Sequence, residues 1–192
     1  MKMRISDLGE RKILEEIVFH YLSSTTYVDE DAVPLKIQKD QYVIINVDAF
    51  VASTDAPKGM SFRSMGWKVV TMTFSDIIAK GGIPSSFLCS ATVPDSMNTN
   101  DFRDIFAGIR EACDFYGCSY LGGDLGGGQD IILVGVGIGE SDRYIARSTA
   151  KSGDSVWVTG PFSKSSVALH YLLNNGKPIR GMHRILSDFY EP

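Results

Sequence analysis

The chain has 192 residues, of which 44% are hydrophobic and 22% charged, a composition that excludes a disordered protein. Its formal net charge of -4 argues against a nucleic-acid partner, because surfaces that bind the phosphate backbone are basic. The longest apolar stretch, residues 131–139, is far shorter than the ~20 residues that cross a bilayer, so no membrane span is expected.

Two features of the sequence point to the cytoplasm. Residues 1–4 run directly into polar sequence, so the N-terminus has no signal-peptide core. Cys89, Cys113 and Cys118 are odd in number and contain no CxxC pair, so neither structural zinc nor a disulfide framework is expected. A reducing cytoplasm is the compartment that fits this cysteine usage.

The first predicted elements are a helix and a hairpin. Apolar residues recur at helical spacing over residues 13–22, which predicts an amphipathic helix. Two apolar runs follow at residues 32–37 and 42–51. The polar residues 38–41 between them predict a β-hairpin.

Helices and strands then alternate along the chain. Residues 64–80 have a helical pattern that Gly81 and Gly82 end, and a third helix is predicted to begin at Thr99 or Asn100. Strands are predicted at residues 87–93, 119–121 and 131–138, with a glycine loop between the last two.

This order of elements predicts an α+β fold with helices on one face of a mixed or antiparallel sheet, because the hairpin and the late strands do not fit a purely parallel sheet. Residues 1–147 are predicted to form one domain. A turn, a strand at 156–159 and a helix at 163–173 then predict that residues 148–192 begin a second domain.

The glycine-rich segment of residues 120–128 suggests phosphate chemistry. It holds five glycines around Asp124, and glycine lets backbone N–H groups approach phosphate oxygens closely. Asp124 would stand beside them as an oxygen ligand for a metal. This segment alone favours a flexible hairpin with an exposed aspartate equally well. It is not a P-loop, because GxxxxGK[ST] is absent.

Four further acidic residues are candidates for a metal site. Asp48 lies near the end of an apolar strand, Asp76 lies within a predicted helix, and Glu30 and Asp31 precede the first strand. Each alone is more often a solvated or structural residue. Together they suggest a cluster around Mg²⁺, which prefers carboxylates and phosphates as ligands. No Ser-His-Asp arrangement stands out, which is compatible with direct phosphoryl transfer.

Segments spread over nearly the whole chain resemble the thiamine-monophosphate kinase family. The acidic residues 29–32 are similar to that family's GDDA segment, and residues 46–51 to its TTDMLV strand. Residues 65–81 resemble LGWKAL…NLSDLAAMG. Residues 121–124 match the family's GGD loop, and residues 146–161 follow its RSGA…VTGP segment.

The resemblance implies a fold, an activity and a set of ligands. The fold is that of the aminoimidazole ribonucleotide synthetase superfamily, and the activity transfers the ATP γ-phosphoryl group to thiamine monophosphate, giving thiamine diphosphate. Residues 1–147 would be the ATP- and Mg²⁺-binding domain, through which two copies form a homodimer. Gly122 and Gly123 would approach the phosphates, and the implied metal ligands are Asp31, Asp48, Asp76 and Asp124, with Glu30 as a further candidate.

Several departures from the family pattern keep alternatives open. Glu30 replaces an aspartate, Asp55 replaces a histidine, and residues 125–128 are Leu-Gly-Gly-Gly in place of Thr-Thr-Arg-Gly. The family's C-terminal domain has no counterpart, so the chain is expected to be a kinase half, either a fragment or a partner of a separately encoded second half. The alternatives are an inactive dimerising or nucleotide-binding module, and a related chemistry such as selenophosphate synthesis or hydrogenase maturation.

Overall fold

The computed structural model describes residues 4–23, 27, 30–158, 162–174 and 180–192. The described strands form one sheet and are β1 Val33–Gln38, β2 Gln41–Val51, β3 Ile83–Val93, β4 Ser119–Gly127 and β5 Ile132–Ser141. The described helices are α1 Glu10–Glu16, α2 Ala52–Asp55, α3 Phe62–Ala79, α4 Thr99–Tyr116, α5 Lys164–Leu173 and α6 Met182–Tyr190. Short 3-10 turns occur at Ile5–Asp7, Val18–Tyr21 and Arg147–Thr149.

The sheet has the strand order β1-β2-β5-β3-β4 and mixes both strand directions. β1 and β2 form the predicted antiparallel hairpin, and β5 lies antiparallel to both β2 and β3. β4 is parallel to β3 at the edge. The predicted α+β class with a mixed sheet is therefore confirmed.

The glycine-rich segment is part of a strand, so the predicted loop and the hairpin alternative are both wrong. Residues 119–127 form β4, and β3 separates β4 from β5. A Cβ atom at position 123 would stand 1.8 Å from the Cys89 carbonyl oxygen. Because Gly123 has no side chain, its backbone can lie directly against β3. The sequence pattern alone does not reveal this close approach.

Helices α3 and α4 cover one face of the sheet and cross each other at two glycines. An added Cβ on Gly66 would stand 1.9 Å from the Ile105 carbonyl oxygen, and one on Gly108 the same distance from that of Arg63. The two helix backbones are thus nearly in contact. The side chains that this arrangement buries completely include Phe50, Val69, Val70, Phe74, Ile77, Phe87, Ile105, Ile109 and Leu133.

The terminal parts of the chain differ from the sequence-based expectations. The predicted first helix ends at Glu16, continues as the 3-10 turn Val18–Tyr21, and has no buried residue. Residues 156–158 form no strand, and Thr159 of that predicted strand lies outside the described residues. Val156 and Trp157 are 95% and 88% exposed, and no described strand pairs with them.

The last described residues pack against the start of α3. The Ser64 hydroxyl donates to the Glu191 carboxylate (2.9 Å), and the Trp67 indole N–H donates to the Pro192 carbonyl (3.2 Å). The Tyr190 hydroxyl of α6 also donates to the Lys58 carbonyl (2.9 Å), so the end of the chain contacts the first predicted domain. The boundary at residue 147 stays a prediction. No helix in the described part of the chain is both long and apolar enough to cross a membrane.

Candidate functional site

Asp48 and Asp76 lie on the face of the sheet that α3 covers. Asn46 of β2 is almost fully buried, and its Nδ2 donates to Asp76 Oδ2 (3.0 Å) and to the Thr73 carbonyl (3.1 Å). Because side chains alternate along a strand, Asp48 projects to the same face as Asn46, two residues earlier. The end of α3 and the middle of β2 thus bring two predicted metal ligands together.

The charges around these carboxylates oppose their ionisation. Burial raises the pKa of Asp76, and the negative charges of Asp31 and Asp48 raise it further, against the Asn46 hydrogen bond and Lys80. Burial also raises the pKa of Asp48, with a smaller contribution from Asp55. Asp76 therefore lies near the negative charges of two other carboxylates, and a bound cation would relieve that repulsion.

Glu30 has a different environment from the other acidic candidates. Its side chain is 8% exposed and forms an ion pair with Lys80, whose side chain is 7% exposed. The Arg147 backbone N–H donates to Glu30 Oε1 (2.9 Å). Burial alone would raise the pKa of Glu30, but the bonds from Lys80 and Arg147 outweigh it and lower this pKa.

Asp31 is exposed and forms an ion pair with the Arg147 guanidinium. Both residues lie in segments that carry the family resemblance, Arg147 in residues 146–161 and Lys80 in residues 65–81. Sequence reasoning gave neither of them a role in the site. The one available signal was a lysine closing a strongly apolar helix directly before Gly81. Asp29 lies outside the described residues.

Asp124 lies apart from the other carboxylates. Asp124 lies opposite Ser90 of β3. Asp48 lies opposite Gly135 of β5, which in turn lies opposite Cys89 of β3, one residue before Ser90. Three strand spacings of about 4.8 Å separate them, or roughly 14 Å. Cys89 is buried under the helices, so Ser90 and Asp124 project to the opposite face. Within a single chain, Asp124 therefore does not lie beside Asp48.

The described residues contain no ready-made metal centre of three or more His, Cys, Asp or Glu side chains. The structure brings Asp31, Asp48 and Asp76 into one electrostatic group and leaves Asp124 outside it. This arrangement fits Mg²⁺, which usually keeps several waters and binds through one or two carboxylates together with substrate phosphates.

A cavity of about 320 Å³ lies at the end of β4. Its walls come from the β3 end, the start of α4 and the glycine segment, and consist of Val93, Pro94, Asp95, Met97, Thr99, Phe102, Leu125, Gly126 and Gly127. A larger cavity of about 650 Å³ lies near the β1–β2 turn and contains none of the predicted site residues. The smaller cavity therefore adjoins the predicted phosphate segment, and the larger one does not.

Comparison with known proteins identifies the relatives of this chain. The sequence profile of the family described as AIR synthase related protein, N-terminal domain, matches residues 29–141. The chain is 36% identical over 168 residues to a thiamine-monophosphate kinase of Pyrococcus horikoshii, covering 88% of this chain and 52% of the relative. A thiamine-monophosphate kinase of Aquifex aeolicus is 28% identical over 171 residues, covering 89% and 55%.

Structural comparison gives the same picture. A solved structure described as AaThiL complexed with AMPPCP and TMP superposes with a TM-score of 0.91 and 25% identity, over 100% of this chain and 62% of that one. The resemblance drawn from the sequence segments is thereby confirmed. The chain spans about half the length of the curated relatives that it matches.

Proposed function

The chain belongs to the AIR synthase related protein family through its N-terminal domain, and from that membership we propose that it is the ATP- and Mg²⁺-binding part of a thiamine-monophosphate kinase. The observation that carries this proposal is the Asp76 carboxylate, which accepts a hydrogen bond from Asn46 of β2 and lies within the electrostatic influence of Asp31 and Asp48. The kinases of Pyrococcus and Aquifex that the chain resembles support the choice of reaction.

In the proposed reaction a phosphate oxygen of thiamine monophosphate attacks the γ-phosphorus of ATP, and ADP leaves, giving thiamine diphosphate. Such transfers depend on positioning and on neutralising phosphate charge, so no protein nucleophile is required. Asp31, Asp48 and Asp76 would hold Mg²⁺, which would supply positive charge to neutralise the nucleotide phosphates. Asn46 fixes Asp76 against β2 through its side-chain hydrogen bond.

The glycine segment is the proposed contact for the nucleotide. Gly122 has a positive φ of 114°, and nothing lies within 4 Å of the position of its missing Cβ atom. A ligand can therefore approach this backbone closely. The adjoining cavity, with apolar walls that include Met97 and Phe102, has room for a nucleobase. The AMPPCP complex of AaThiL supports a nucleotide as the ligand.

A homodimer is part of this proposal, because no helix in the described part of the chain covers one face of the sheet. The described helices α3 and α4 cover one face of the sheet, the face that contains the buried Phe50 and Phe87. The other face is the open one. The open face presents exposed apolar side chains, namely Val33, Leu35, Ile37, Val47 and Ile83. A second copy would bury this surface, since large exposed apolar patches mark interaction sites.

The proposed domain division follows the length of the relatives. Residues 1–147 form the nucleotide domain, and residues 148–192 begin a second domain. A further segment or a separately encoded half would complete that domain and supply much of the acceptor pocket. The exposed Val156 and Trp157 are candidates for contacts with it. We place the protein in the cytoplasm, which suits its three free cysteines.

Calorimetric titration of ATP into the chain, with and without Mg²⁺, tests this proposal. We expect binding that requires Mg²⁺ and that weakens at least about 10-fold in the Asp124→Asn variant, because this variant would lose a carboxylate ligand of the Mg²⁺ that accompanies the nucleotide phosphates. The matched control is Asp114→Asn, an exposed aspartate near the end of α4. ATP binding that is indifferent to Mg²⁺ and to Asp124 would refute the proposed site.

A further inference from the structure

Lys80 and Glu30 form an ion pair, and each of them lies close in sequence to a candidate metal ligand. Glu30 directly precedes Asp31, and Lys80 caps α3 one helical turn after Asp76. Both side chains of the pair are more than nine-tenths buried. The ion pair therefore ties the segment that carries Asp31 to the helix end that carries Asp76.

The polar contacts of Glu30 argue against its use as a metal ligand. Lys80 Nζ occupies Oε2, and the Arg147 backbone N–H donates to Oε1. A metal at Oε2 would compete with the ammonium group, and displacing that group would leave Lys80 buried without its carboxylate partner, which is costly. Glu30 therefore fits the role of an anchor better than that of a ligand.

Neighbouring contacts hold the same segment in place. The Ile145 N–H donates to the Lys80 carbonyl (3.1 Å), and the Tyr144 hydroxyl donates to the Ala32 carbonyl (3.1 Å). These contacts hold the segment around Glu30 and Asp31 and the segment before Arg147 against the end of α3.

We propose that Lys80 and Glu30 are positioning residues that hold the Asp31 carboxylate beside Asp76 for cation binding. The proposal rests on the proposed function of the Asp31, Asp48 and Asp76 group. It reassigns Glu30 from the ligand set to the support of that set. Residues that orient metal ligands in this way typically change metal affinity by about 10–100-fold when they are replaced.

The test is Mn²⁺ binding to the full chain, measured by electron paramagnetic resonance of the free ion. The variants are Lys80→Met, Glu30→Gln and the double variant, and circular dichroism verifies that each is folded. We expect Mn²⁺ binding about 10-fold weaker in each single variant, and no weaker still in the double variant. Glu111→Gln, which removes an exposed ion pair between α3 and α4, is the control and should bind Mn²⁺ normally.

The sign of the Lys80→Met effect separates the two roles of Glu30. Removing a positive charge near a cation site should tighten Mn²⁺ binding if Glu30 is a ligand that Lys80 masks. Unchanged or tighter binding in Lys80→Met would therefore overturn this inference alone. If a single variant does not fold, the double variant takes its place, because it leaves no unpaired charge. Mn²⁺ binding with wild-type affinity in the double variant would overturn the inference. Absence of Mn²⁺ binding by the wild-type chain would overturn the proposed function as well.

Discussion

We expect the Gly66→Ala protein to lose about 3 kcal/mol of folding free energy, at the upper end of the usual cost of overpacking a core. The new Cβ atom would stand 1.9 Å from the Ile105 carbonyl oxygen and 2.9 Å from its carbonyl carbon. These are backbone atoms of α4, which cannot rotate away as a flexible side chain could. The helices would have to separate and disturb the core that both share.

Thermal unfolding followed by circular dichroism measures this effect. A loss of 3 kcal/mol corresponds to a melting temperature lower by roughly 10 °C in a chain of this size. Gly9→Ala is the matched control, because nothing lies within 4 Å of the Cβ position at Gly9. If Gly66→Ala melted within about 2 °C of this control, the close helix crossing would be incorrect.

For Asp76→Asn we expect opposite effects on binding and on stability. Mn²⁺ binding should fall by about 100-fold or more, because a charged oxygen ligand becomes a neutral one. The folded state should gain stability at pH 7, by an amount on the order of 1 kcal/mol or less, since solvent screens part of the repulsion. The amide oxygen can still accept the hydrogen bond from Asn46, so local packing is retained.

The stability gain in Asp76→Asn should depend on pH. Burial and the charges of Asp31 and Asp48 raise the pKa of Asp76 in the folded protein above its unfolded value. Ionised Asp76 therefore costs stability at pH values above the folded pKa, and the cost disappears as pH falls below the unfolded pKa. Melting curves of both proteins should accordingly differ at neutral pH and converge near pH 3. A variant less stable than wild type at pH 7 would contradict the described charge environment.

Much of the fold could be predicted from local sequence patterns. Polar residues 38–41 between two apolar runs predicted the β1–β2 hairpin, and apolar residues at helical spacing predicted α3 and α4. These elements are specified by periodicity and by local turn and cap signals. The N-cap of α4 is Asn98, one residue before the predicted Thr99, which is the usual uncertainty at a helix end.

The parts that could not be predicted depend on contacts between distant residues. The glycine segment forms β4 because its backbone pairs with β3, and composition alone suggested a loop. The Glu30–Lys80 ion pair joins positions 50 residues apart. The separation of Asp124 from Asp48 follows from strand order and side-chain alternation. The common location of Asp31, Asp48 and Asp76, in contrast, was suggested by residue chemistry and by the family resemblance.

The most direct test of the proposed function is to incubate the 192-residue chain with ATP, Mg²⁺ and thiamine monophosphate and to detect thiamine diphosphate by mass spectrometry. A metal-free sample and the Asp76→Asn variant are the controls. We predict Mg²⁺-dependent product, absent from both controls, from the chain alone or after addition of the C-terminal half of a relative such as the Pyrococcus horikoshii kinase. Absence of product in both settings, from a chain that still binds ATP, would contradict a kinase and favour a nucleotide-binding module without catalysis.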